Sequence, residues 1–336
     1  MESSSRRGFV RILTRSVCNI IPNAIRFIFR CSPIFSIESA TAPKMLTVRV
    51  GCSIHFECES SATVILLVNP RSDSDRPIRQ ENLDFGIAAK SESFTDADGN
   101  VAYRVILAPG LNKILHDAMV EVSTASDKSD QFGNAPSIAT LEPAFLRYLL
   151  PSRYCDSDKL FAFAREKFGH IYDAGAQVQA ISDWVHNNIE YRFASGRPDI
   201  SAAQIIDRGY GVCRDFAHCT IALCRAINIP ARYVTGHLPD IGHVDPGSPM
   251  DFHAYSEVYL GGQWHVFDAR YNEPRIGRIK IAQGLDAVEC AFATVYGPAR
   301  MARFEVWAYQ VDPRVVALGD PIDLSKRLDG VEEIKS

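Results

Sequence analysis

The chain has 336 residues, of which 46% are hydrophobic and 23% charged, with a formal net charge of -4. That apolar share supports a packed core in one large domain or two of ordinary size. The slight negative charge, with no basic stripe interleaved with aromatics after residue 45, excludes a general nucleic-acid binder. Nine cysteines form an odd count without framework spacing, which points to a reducing compartment, hence the cytoplasm, and to no structural disulfides.

Residues 1–44 carry six arginines and two acids, Glu2 and Glu38, a composition like that of a targeting segment. Met45 is also a clean domain start, so the stretch reads equally as an upstream extension, and it is set aside from the fold. Arg26 and Arg30 break its best apolar run, and no run in the chain reaches the roughly 18 apolar residues of a membrane helix.

From Leu46 to Cys58 the apolar residues occupy every even position, a period of two that predicts a long, half-buried strand. Thr63 to Val68 is a second strand, and Asp98-Gly99 divides Glu92–Ala97 from Asn100–Leu107 as a hairpin turn would. With Met119–Thr124 added, residues 45–135 read as an antiparallel β-domain, bounded by the polar, turn-rich stretch 127–136. Helical spacing follows. Asp158 is placed to cap a helix whose Leu160, Phe161, Ala164 and Phe168 share a face, and Asp173 one with Val178, Ile181, Val185 and Ile189. A short helix runs from Ser201 to Arg208, and a fourth from Cys213 to Asn228, stopped by Pro230. Strands follow at Arg232–His237, Phe252–Leu260 and Gln263–Asp268, then at Arg278–Ile281 and Phe304–Gln310, with a connecting segment from Val288 to Tyr296. Helices leading into an antiparallel sheet make residues 136–320 an α+β core. Residues 321–336 read as a frayed tail.

The stretch Tyr210–Cys224 carries the chemistry. Cys213 follows a glycine-containing turn and opens a helix, where unpaired N–H groups and the macrodipole favour a thiolate. If Gly261-Gly262 is a two-residue hairpin turn, Leu260 pairs with Gln263, His253 faces Arg270, and Asp268 becomes the diagonal neighbour of His253 on the same face. A three-residue loop would shift that register and reverse the choice. In this arrangement His253 takes the thiol proton of Cys213, Asp268 orients the ring, and the Cys213 N–H donates to an oxyanion. Tyr191 is a candidate second oxyanion donor, or an aromatic closing a helix onto the core. Taken alone, Cys213 would read as a buried structural thiol; the helix start and the histidine and aspartate strands turn it toward catalysis. Cys219 and Cys224 read as small apolar residues of the helix, His218 as a packing residue and Asp215 as support for the helix start. Cys213 and Cys224 stand roughly 16 Å apart along the helix, too far to share a metal ion, and neither C-x-x-C nor H-E-x-x-H occurs. The loop 238–251 is long enough to serve as a lid or specificity loop, or to be merely solvated.

Four pieces resemble the transglutaminase-like superfamily, the papain-fold group of transglutaminases, peptide N-glycanases and bacterial cysteine peptidases. They are Gly211-Val-Cys-Arg-Asp-Phe-Ala-His218, Ile229-Pro-Ala-Arg-Tyr-Val234, His253-Ala-Tyr-Ser-Glu-Val258 and Trp264-His-Val-Phe-Asp268. The likeness covers roughly residues 155–275, and the β-domain before it is similar to the N-terminal module of bacterial members. It implies Cys213 as nucleophile, His253 as base and acid, and Asp268 as orienter. Many members have His-Ala-Trp and Asp-Pro-Thr where this chain has His253-Ala-Tyr255 and Asp268-Ala-Arg270, so substrate-side details need not transfer. No acidic loop has calcium-site spacing, and no cofactor is implied. The expected activity is acyl transfer on a peptide or protein substrate through a thioester. Hydrolysis is favoured slightly; a transglutaminase using an amine acceptor and a non-catalytic peptide-binding module are the alternatives. Neither nucleic acid nor membrane is an expected partner, and the sequence leaves the oligomeric state open.

Overall fold

The alternation from residue 46 onward does build a strand, β1 (Met45–Cys58), with Val48, Val50, Cys52, Ile54 and Phe56 fully buried. The computed structural model describes residues 44–72, 76–127, 129 and 131–330. The two readings of residues 1–44 therefore concern a segment that, Lys44 apart, lies outside the described residues. β1 departs from its half-buried expectation because its second face is also covered. Arg49 is 1% exposed and forks onto Asp117, with Nε to Oδ1 at 3.0 Å and Nη2 to Oδ2 at 2.7 Å, while Trp307 Nε1 donates to the same carboxylate at 3.1 Å. Pairing of this kind is what makes a buried guanidinium tolerable.

Along one edge β1 pairs with β6 (Gly110–Ser123), which carries β3 (Ile78–Asp84) outside it; along the other it pairs with β14 (Ala299–Val311). A second sheet runs β13 (Ala293–Tyr296), β2 (Ala62–Leu66), β5 (Val101–Leu107), β4 (Lys90–Thr95). The late strands, which the sequence attaches to the catalytic core, thus hydrogen-bond to the N-terminal strands. Val50 lies opposite Ala308, and Val64 opposite Val295. The described residues pack as one compact unit.

The helical part follows its periodicity with two corrections. In α1 (Ser157–Phe168) Leu160, Ala164 and Phe168 are buried but Phe161 is 49% exposed, and the N-cap is Asp156, not Asp158. Asp156 makes no side-chain cap; its carboxylate instead accepts from Ser201 Oγ at 2.6 Å and Ala203 N at 3.1 Å, tying α1 to α3 (Ala202–Arg208). α2 (Ala174–Asn188) is capped as expected, Asp173 accepting from Ala176 N at 2.7 Å. α4 (Cys213–Ala226) is buried from Asp215 to its end. It lies between the other helices and a third sheet of order β11 (Gln263–Phe267), β10 (His253–Leu260), β9 (Ala231–His237), β12 (Ile279–Gly284). Mixed helix and antiparallel sheet, with a β-module ahead of it, is the α+β plan the sequence predicts.

The stretch read as a domain boundary and the stretch read as a frayed tail are both fastened. In the segment 127–136, Phe132 stacks on Phe267 with ring centroids 5.2 Å apart, and Asn134 O accepts from Gly261 N at 2.9 Å. Past residue 321 the chain is not frayed as far as Gly330. Leu328 N donates to Gln310 O at 2.9 Å, Asp329 is 6% exposed, and its Oδ2 accepts from Asp240 N at 3.2 Å. Among the described residues no helix is long and apolar enough to cross a membrane.

Candidate active site

Cys213 owes its position to a short parallel pair, β7 (Glu190–Tyr191) and β8 (Tyr210–Gly211), which delivers the chain to the first turn of α4. Asp215, 1% exposed, accepts from Val212 N at 3.0 Å and meets Arg214 Nε at 3.3 Å, so its carboxylate braces the turn and sits favourably on the helix dipole. Gly211 is required there, since a Cβ would lie 2.7 Å from Asp215 Cβ. Cys213 is half-buried and lines a cavity of about 490 Å³. Its backbone N–H is among the donors that a helix start leaves without an intrahelical partner. Cys219 and Cys224 are fully buried in the core; burial lifts the Cys224 thiol to about 12 and Cys219 well above the ordinary range, as fits inert packing residues.

The histidine and aspartate come from the hairpin. Gly261 and Gly262 have φ of 57° and 87°, the left-handed pair that a two-residue turn between twisted strands requires. Leu260 then lies opposite Gln263 and Ser256 opposite Phe267, the register derived from the sequence. His253 Nε2 meets Asp268 Oδ2 at 2.7 Å. The Cys213 thiol is a further partner of the ring, and its Sγ also stands 4.0 Å from Phe252 O. Burial alone would disfavour the imidazolium, but the Asp268 carboxylate and the Cys213 contact outweigh it and lift His253 to about 9. Asp268 is equally buried; burial works against its ionised form, and His253 and Arg278 together hold it well below the usual carboxylate range.

Sequence reasoning missed what stands behind Asp268. Arg278, 4% exposed, places Nη1 2.8 Å from Asp268 Oδ2, and its Nε donates to Asp127, from the segment after β6. Asp127 Oδ1 also accepts from Arg275 N at 2.7 Å. A chain of opposite charges thus runs Asp127, Arg278, Asp268, His253. The signal available in the sequence was an arginine beginning a strand, which has no motif of its own.

Tyr191 also lines the cavity, beside the half-strand that leads to Cys213. Burial and the nearby Cys213 push its hydroxyl up, so it keeps its proton as a donor must. His218 packs, as expected, with its ring 5.0 Å from Tyr154 and 5.1 Å from Tyr233, and its Nε2 accepts from Ala287 N at 3.2 Å. Leu238, Asp245, Pro249 and Asp251 bring the loop 238–251 onto the cavity wall, so it is not merely solvated. Asp245 pairs with Arg327 at 2.8 Å and Asp240 with Arg275 at 3.0 Å, which pins it in place. Among the described residues no group of three or more His, Cys, Asp or Glu gathers to hold a metal ion.

The sequence profile of the Transglutaminase-like superfamily matches residues 162–269, a span that contains all three residues. A provisionally assigned cysteine protease from Cytophaga hutchinsonii is 33% identical, with a TM-score of 0.72 over 80% of this chain and 92% of its own. The chain belongs to the transglutaminase-like superfamily. An uncharacterised protein of Mycobacterium leprae is 23% identical over 256 residues, 74% of this chain and 91% of that protein. The periplasmic domain of TgpA from Pseudomonas aeruginosa is 15% identical, covering 69% of this chain and 91% of that domain with a TM-score of 0.36. Within this superfamily chain, Tyr255 stands where many members carry tryptophan; it is buried, with the Arg278 guanidinium 4.8 Å from its ring centroid.

Proposed function

We propose that the protein is a cysteine-dependent acyl-transfer enzyme that hydrolyses an amide bond of a peptide or protein through a thioester on Cys213. The observation that carries this reading is the His253 ring, held between the Cys213 thiol and the Asp268 carboxylate at the wall of a cavity. The thiol proton passes to His253, and the sulfur attacks the amide carbonyl. The Cys213 N–H, with Tyr191 as second donor, takes the oxyanion. Collapse breaks the C–N bond as the imidazolium gives its proton to the departing amine, leaving the acyl group on sulfur. Water then attacks the thioester and gives a proton to His253; the carboxylic acid leaves and the thiolate is restored. A nucleophilic thiol of this kind is kept reduced in the cytoplasm, the setting the proposal assigns it.

The test is intact-mass analysis of a glutamine-containing peptide pool incubated with the protein, with and without a primary amine, beside Cys213→Ala. Cleaved or deamidated peptides, indifferent to the amine and absent with Cys213→Ala, are the expected result. Amine adducts with loss of ammonia would make the acceptor an amine and the protein a transglutaminase. Unchanged peptides together with a Cys213 that resists alkylation below pH 8 would leave only a peptide-binding module.

A further inference from the structure

The cavity beside Cys213 holds charged side chains from several elements, and nearly all of them are already matched. Asp240 pairs with Arg275 and Asp245 with Arg327. Asp251 accepts from Phe252 N at 2.7 Å and faces the charge of His253. Arg214 donates to Arg197 O at 2.8 Å and meets Asp215. Arg270 is different. It lines the same cavity, two residues beyond Asp268, and only its backbone N–H is tied, to Asp268 Oδ1 at 3.2 Å. Its guanidinium carbon lies 3.6 Å from the centroid of the Tyr191 ring and 5.0 Å from that of Tyr271. Among the described residues the guanidinium makes no ion pair and no hydrogen bond.

A guanidinium laid flat on an aromatic ring is held in plane while its N–H edges stay open. That is the form in which arginine recognises a carboxylate with two parallel hydrogen bonds, and little ordering is left to be lost on binding. Its seat, Tyr191, pairs in register with Gly211, two residues before the thiol, and Tyr191, Arg270 and Cys213 line the same cavity. With Arg214 matched by Asp215, no second free guanidinium stands in the cavity wall among the described residues, which fits one carboxylate rather than an acidic run.

We infer that Arg270 is a specificity residue that binds a carboxylate on the substrate beside the amide attacked by Cys213. This rests on the acyl-transfer reading above and names its substrate class: amides that carry a nearby carboxylate, either a peptide's C-terminal acid or an aspartate or glutamate side chain.

Charge-matched alkylating reagents test it without a known substrate. Rates of Cys213 modification by iodoacetate and by iodoacetamide are measured by intact mass for the wild type, Arg270→Gln and Arg270→Lys. The expected result is that Arg270→Gln lowers the iodoacetate-to-iodoacetamide rate ratio by about tenfold or more, the scale of a charge-assisted bond. Arg270→Lys should recover part of it, having the charge without the fork. The iodoacetamide rate reports whether the site remains folded in each variant. A ratio unchanged by Arg270→Gln overturns the assignment and leaves the acyl-transfer reading standing; a Cys213 inert to both reagents overturns both. To distinguish the two carboxylate sources, Cys213 is shielded from iodoacetamide with N-acetylated peptides, one ending in a free acid and one amide-capped but containing glutamate. Protection by either that is lost in Arg270→Gln identifies the source, and protection by neither counts against the assignment.

Discussion

His253 sits between two partners that favour its charged form, and that determines how the site should respond to pH. The imidazolium persists to about 9, so activity that depends on it is expected to fall as pH rises through that value. In Asp268→Asn the carboxylate that lifts the ring is gone, and the alkaline limb of the kcat/KM profile should move to lower pH, with a loss of roughly 10²- to 10⁴-fold at the optimum. An alkaline limb at the same pH in both proteins would mean that His253 is not the group reported. The stability terms have opposite signs. The His253 contribution is complete below its ordinary pKa and is lost as pH rises through about 9. That of Asp268, whose acidity is strengthened in the fold, is present above the usual carboxylate range and is lost as pH falls through its folded value. Removing the buried cation behind it, in Arg278→Met, leaves Asp268 and Asp127 facing each other's charge and is expected to cost about 3–5 kcal/mol in urea unfolding. The placement of Cys213 at a helix start and of His253 beside Asp268 was legible in the sequence because a helix start and a hairpin register are local arithmetic. Arg278 was not, because its partner Asp127 lies 151 residues away and nothing local records the pairing.

At the scale of elements, the start of α4 is the part with least tolerance. Gly211→Ala would drive a Cβ into Asp215, the residue that braces Val212. Displacing that turn by a fraction of an ångström is expected to slow alkylation of Cys213 by about tenfold to a hundredfold, with the far-UV spectrum kept. A rate equal to the wild type would show that Asp215 does not position the thiol. Strands with an apolar rhythm, such as β1 and β10, could be read directly. β3 could not: its residues, Ile78-Arg-Gln-Glu-Asn-Leu-Asp84, are almost all exposed or half-exposed on a sheet edge, where burial imposes no alternation. The start of α1 was misplaced for a related reason: Asp156 stands there with its carboxylate taken by Ser201 and Ala203 some forty residues on, a contact that no local pattern records.

For the whole molecule, the strand-to-strand partners were the least legible feature, because a sequence rhythm reports burial and not which neighbour supplies it. The segment after residue 321 shows the same limit. It reads as polar and loose, yet Arg327 and Asp329 hold the cavity loop through Asp245 and Asp240. The double variant Arg327→Ala, Asp329→Asn is expected to raise hydrogen exchange at residues 240–247 and to raise KM more than it lowers kcat. Exchange as slow as in the wild type would mean that Arg275 alone secures the loop. The pairing of β1 with β14 bears also on biosynthesis. β1 is made early, and its Val48-to-Cys58 edge waits for residues 299–311, so on a ribosome it stays half-templated for most of the period of translation. An open strand edge of that length is a site for joining a neighbouring nascent chain. Slow elongation late in the message should therefore lower the yield of folded protein more than the same delay placed early.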